Sequence, residues 1–216
     1  MHPDPSFRVD ADACRALVRD VAFAHLFVRN GDAAAVIHAP VVLEDEDALT
    51  FHVSRRNHAA ALLPGAQAIV SVVGPHGYVS PDWYATTGQV PTWNYVAAEA
   101  EGVVEPLSRD ELLAQIDALG DQHEVRLAPK PCWTREKMPA DRVDAMVAAI
   151  AGFRLRVATW RGTAKLSQNK PARDIAGVVA ALRALGRDDL ADAVAAPGHR
   201  PGQTASTAPV AMPHKP

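Results

Sequence analysis

Two apolar runs, AFAHLFVR at 22–29 and AAAVIHAPVVLE at 33–44, meet across Asn30-Gly31-Asp32. Asn-Gly between such runs is a strong local signal for an antiparallel hairpin, because both turn positions tolerate the left-handed backbone the tight turn needs. More strand-like segments follow at 49–54, 67–74, 93–107 and 153–162, with Gly102 placed as a bulge in the long one. Helical patterns fall at 10–19, 55–63, 108–119, 140–152, 171–186 and 188–196. Ser108 and Glu111 form a capping box, and Pro171 and Gly186 bracket the penultimate helix. Strands clustered early, with helices inserted or appended, predict an α+β chain built on an antiparallel barrel rather than alternating βαβ units.

The segment YVSPDWYATTGQVPTWNY at 78–95 carries five of the chain's twelve aromatics, interrupted by Pro81, Gly88 and Pro91. It reads as a shaped loop that either lids the core or offers a platform to a planar ligand, since Trp and Tyr combine large apolar area with a polar tip. Two donor-rich segments accompany it. Ser54-Arg55-Arg56-Asn57 leaves a strand and enters the helical pattern at 55–63. Lys165-Leu166-Ser167-Gln168-Asn169-Lys170 precedes another, with Asn169 near its cap and Pro171 near its first position. Guanidinium forks and backbone N–H groups at a helix start suit an anion.

The strings YVSPDWY, VPTWNY and KLSQNK, with His38-Ala39-Pro40 and SRRN in the same order, resemble the FMN-binding split-barrel proteins of the PaiB type, known as negative transcriptional regulators. The resemblance implies a six-stranded split barrel with flanking helices over 1–196, FMN as cofactor and a homodimer with the cofactor at the two-fold interface. It places the phosphate and ribityl chain near Ser54, Arg55, Arg56, Asn57, Lys165, Ser167, Gln168 and Asn169. The ring falls near His38, Pro40, Trp93, Asn94 and Tyr95, and the 165–170 string serves the partner's cofactor. Three functions then stand open: a flavin-dependent oxidoreductase with an unknown reductant and small substrate, a flavin-linked transcriptional regulator, and a haem-handling relative. No glycine-rich dinucleotide fingerprint is present, which favours FMN over FAD.

Other readings narrow the field. A formal charge of −3 and a pI near 6.3 do not give the basic face that nucleic-acid binding needs. The pair of helices at 171–195 has helix-turn-helix spacing, but DDLADAVAA carries acids where base-reading donors belong, so direct DNA binding is not expected. Cys14 and Cys132 are too far apart to make a ligand pair and are expected as free thiols. His25, His38, His52 and His58 show no zinc spacing, and Glu44 to Asp47 reads as a solvated acidic turn. Neither a signal peptide nor a membrane-spanning run is visible, so a cytoplasmic protein is expected, with residues 197–216 as a flexible tail.

Overall fold

The computed structural model describes residues 2–196; the expected tail at 197–216 lies outside them. Strand β1 (Arg8–Val9) and helix α1 (Ala11–Val21) lead into the hairpin of β2 (Phe23–Asn30) and β3 (Ala33–Asp45). Then come β4 (Ala48–Ser54), β5 (Gln67–Val79), β6 (Thr92–Pro106), α2 (Arg109–Glu124), α3 (Ala140–Ala148), β7 (Ile150–Lys165), α4 (Ala172–Ala184) and α5 (Asp188–Ala195). The sheet runs β1-β7-β4-β3-β2-β5-β6, and β6 returns to pair with β7. Six antiparallel strands therefore close on themselves, and the two residues of β1 add a short seventh at the edge. Closure leaves few free edges and places alternate residues inside.

Alternation on β6 shows the consequence. Asn94, Val96, Ala98, Ala100 and Val104 are buried, while Trp93, Tyr95, Glu99 and Glu101 face outward. Helix α1 contributes Cys14, Leu17 and Val18 to the same core as Leu26, Ile37, Phe51, Val70 and Leu155. Cys14 is a free thiol whose pKa is pushed up to about 11, first by burial.

Sequence patterns and structure differ in two places that matter. No α-helix forms at 55–63, where only a single 3-10 turn appears at Ala60–Leu62. Asn57 takes over the local hydrogen bonding, because its Oδ1 accepts from Ala59 N and its carbonyl from Ala60 N, and such side-chain turns compete with helix. Helix α3 stops at Ala148, and 150–152 join β7 instead, pairing with Ser54, Val53 and His52. Gly152 lets Leu112 of α2 approach closely, since a Cβ there would lie 2.9 Å from its Cδ1.

The outer surface of β3, β4 and β7 is covered by α2. Its capping box is intact, with Ser108 N donating to Glu111 Oε2 and Glu111 N to Ser108 Oγ. Arg154 on β7 is buried and ties the layers together: Nε and Nη2 donate to Glu44 at 2.5 and 2.7 Å, and Nη1 donates to Glu111 Oε1 at 3.0 Å. The Ser108 backbone and hydroxyl, then Arg154, hold the Glu111 carboxyl down to about 2. A depressed acid contributes stability that is present at neutral pH and lost as pH falls toward the folded value. Arg154→Ala should cost about 1.5–3 kcal/mol in urea unfolding, the range for charge-assisted hydrogen bonds, and should shrink the loss that wild type shows between roughly pH 4.5 and 2.

Candidate flavin site

Pairing Tyr78 with Trp93, His76 with Tyr95, and Tyr95 with Lys165 sets these side chains on one outer surface of β5, β6 and β7. Trp93 is 49% exposed and Tyr78 50%, and the Trp93 ring stacks on His76 at 6.0 Å and 22°. Lys165 Nζ donates to Thr92 Oγ1 at 2.6 Å. Aromatic area of this size left in solvent is a binding feature more than a packing one. The inner half of the loop behaves differently. Tyr84 is buried and Trp83 partly so, and the segment is held by α4 through Asp174, whose Oδ1 accepts from Thr86 N and Oγ1. Lys170 adds a bond to Gln89 Oε1 and lies 5.2 Å from the centre of the Tyr84 ring. The aromatic segment is thus a core lid over 83–84 and an open shelf at its two ends.

His38 and Pro40 lie on that same outer side through β3 and β2, with Pro40 opposite Phe23 and His38 opposite His25. Asn94 does not join Trp93 and Tyr95. It is fully buried, and its Nδ2 donates to Ser167 Oγ at 2.9 Å. Ser167 is itself buried, at φ +62, so the two residues brace the end of β7 from inside. Gln168 serves its own turn, accepting from Leu166 N and donating to Ala164 O. Asn169 is exposed but does not cap α4; Pro171 occupies that position with no side-chain cap bond. The N-terminus of α4 is no vacant anion site, because the buried carboxylate of Asp174 sits in its first turn. An acid three residues after the capping position is a sequence signal for a helix start, but its bonds to Thr86 come only with the fold.

Ser54, Arg55 and Arg56 are exposed at the end of β4, and Asn57 is half-buried. They abut a helix C-terminus rather than a start: Arg55 Nε donates to Ala148 O at 3.1 Å and Arg55 N to Ala149 O at 3.0 Å. Arg55 and Arg109 also line a cavity of about 590 Å³ floored by Leu112 and Phe153. Among the described residues the Arg56 guanidinium has no hydrogen-bond or ion-pair partner. Ser54 pairs with Ile150 at one end of β7 and Tyr95 with Lys165 at the other, sixteen residues of strand, on the order of 50 Å of chain at the usual rise. The 54–57 and 165–170 donors of one chain are therefore attached to opposite ends of β7.

A closed six-stranded antiparallel barrel with helices on its flanks is the split-barrel fold. The chain belongs to the FMN-binding family whose model is described as "Putative FMN-binding domain", matched over residues 1–159. That match includes His38, the 54–57 turn and Trp93 but stops short of 165–170. Among curated relatives, "Protease synthase and sporulation protein PAI 2" of Bacillus subtilis (strain 168) is 30% identical over 115 residues, 53% of this chain. The chain spans about half of that relative, 54% of its length. "Uncharacterized protein AN0679" of Emericella nidulans is 28% identical over 187 residues, 80% of this chain and 70% of that one. Among solved structures, the FAD and heme binding protein from Mycobacterium smegmatis superposes with a TM-score of 0.55 at 21% identity, covering 77% of each chain. The flavocytochrome Anf3 from Azotobacter vinelandii gives 0.54 at 17%, covering 76% of this chain and 72% of that one. At these identities the likeness concerns the fold.

Proposed function

We propose that the protein is a homodimeric FMN-binding protein that serves two-electron redox chemistry on a small molecule. The observation that carries this reading is the outer face itself: an exposed aromatic shelf at His76, Tyr78, Trp93 and Tyr95 continues into the exposed Phe23, Phe27, Val36 and Val73. Monomers rarely leave so much contiguous apolar surface in water. The residues present fit the cofactor. Arg56 offers an unengaged guanidinium to a phosphate, Lys165 a cation beside the shelf, and Trp93 an aromatic surface to the ring. With 54–57 and 165–170 at opposite ends of the sixteen-residue β7, we read the site as taking one cluster from each chain. When bound, FMN supplies reversible two-electron transfer, and the chain holds it, orients it and shields one side from water.

A regulator that reads DNA through α4 and α5 is less well supported. α5 buries Leu190, Ala191 and Val194 on the protein and presents Asp188, Asp189 and Asp192 outward. Arg187 is committed to His76 O at 2.7 Å. The test is the absorbance spectrum of untagged protein, then titration with FMN and FAD. FMN should bind more tightly and quench tryptophan emission; equal or tighter FAD binding would sink the preference, and a Soret band would favour haem. Trp93→Ala should reduce both affinity and quenching while moving stability by less than about 1 kcal/mol, because the side chain it removes is half in solvent.

A further inference from the structure

His25 and His38 stand directly opposite one another on β2 and β3, with their Nδ1 atoms 2.7 Å apart and their rings edge to face at 4.8 Å. No carboxylate or cation engages either ring among the described residues. Both lie on the outer face, His38 exposed and His25 half-exposed. Their neighbours in the sheet are uncharged. Phe27, Val36 and Ile69 form the row on one side, Phe23, Pro40 and Val73 face the same way on the other, and Ser71 sits beside His25. The first charges come one row further out, Arg29 on β2 beyond Phe27 and Glu99 and Glu101 on β6, the two acids engaged by Arg161. The histidine pair is therefore the polar centre of a patch whose adjoining rows are apolar, with charge only at its margin.

We propose that His25 and His38 form half of a transition-metal site that a second copy of the chain completes. The inference rests on the homodimer proposed above. In an isologous interface each patch meets its own copy across the two-fold axis, so groups at the patch centre face themselves. Two imidazoles from each chain then give four neutral nitrogen donors, a set suited to Zn²⁺ and to other borderline dications. The chemistry is compatible with the pair. In the metal-free chain one Nδ1 carries the shared hydrogen and the other accepts it. Metal ligation by both Nδ1 atoms moves that hydrogen to Nε2 of the same ring and requires no net proton release. Tetrahedral bonds of 2.0–2.1 Å need ligating nitrogens about 3.3 Å apart, so the rings must open by only ~0.6 Å from their present separation. Ligation also gives two polar groups a partner inside an interface that would otherwise bury them against apolar side chains.

The experiment uses untagged full-length chain stripped with a chelator, titrated with Zn²⁺ alone and followed by sedimentation. The expected result is one ion per two chains, a dimer that resists dilution better with zinc than without, and loss of both effects in His25→Gln and in His38→Gln. Substitution with Co²⁺ should give the intense visible bands of tetrahedral nitrogen ligation, a signature that a purely structural role for the pair would not produce. A dimer that takes up no zinc, or zinc uptake unchanged in His38→Gln, overturns the metal site and leaves the dimer standing. A monomer at every concentration, with or without zinc, overturns the shared site and the dimer together. FMN titration of the same samples reports separately on the flavin reading.

Discussion

Replacing Gly102 by alanine is expected to destabilise the barrel by at least about 3 kcal/mol, the upper end of what overpacking costs. For a chain of this size that corresponds to a melting temperature lower by roughly 6–12 °C. The cause is a close approach of two strands, where a Cβ at 102 would lie 1.8 Å from Arg156 O and 2.7 Å from its carbonyl carbon. Those atoms are backbone of β7 and cannot rotate away as a side chain could. Glu101 pairs with Thr159 and Gly102 with Val157, so the extra residue of the bulge, Ala158, is on β7 and Gly102 faces it at the seam that closes the barrel. Gly120→Ala is the contrasting control. That glycine lies within α2 with nothing within 4 Å of the added carbon, so the change should stabilise by about 0.5–1 kcal/mol. Thermal unfolding of the two variants should move in opposite directions; equal small shifts would mean that the strands separate at this point at little cost.

Local rules carried much of the fold. The first hairpin turns at the expected place, though through Gly31, at φ +59, and Asp32, with Asn30 paired to Ala33 at the end of β2, and Ser108 with Glu111 opens α2 as their spacing implies. A bulge does form at Gly102, but its extra residue, Ala158, is on the opposing β7. What remained hidden was in part local competition for the backbone and in part pairing with residues remote in sequence. Nothing near 55–63 announces that the Asn57 side chain will claim the amide of Ala59, nor that 150–152 will be drawn from a helical pattern into pairing with β4. The site was legible in part. Glu99 and Glu101 reveal which parity of β6 faces water, and that parity sends Trp93 and Tyr95 outward and Asn94 inward. Helix propensity alone could not tell that Asp174 fills the start of α4, because its role depends on Thr86, 88 residues away. Aromatic density marked the shelf, but only strand pairing shows that His76 belongs to it.

Arg56→Ala is expected to weaken FMN binding by about 1.5–3 kcal/mol, roughly ten- to a hundredfold, whereas Arg55→Ala should act mainly on stability. The two neighbours differ in what already holds them. Arg55 Nε is bound to Ala148 O at the end of α3, so its loss uncaps that helix. The Arg56 guanidinium is exposed and unengaged among the described residues, which leaves its five donors for a dianion. Equal affinities for wild type and Arg56→Ala, measured by fluorescence titration, would remove it from the phosphate role. Mixed dimers extend the test to the other cluster. Lys165→Ala on one chain and Arg56→Ala on its partner put both lesions in one pocket if each pocket draws on two chains, and the second pocket stays whole. Such heterodimers should bind about one FMN per dimer at near wild-type affinity, while either homodimeric variant binds weakly at both sites. Two equally weakened sites would mean that 165–170 serves its own chain, and the length of β7 between the two clusters would then have to be bridged by curvature of the barrel rather than by a second subunit.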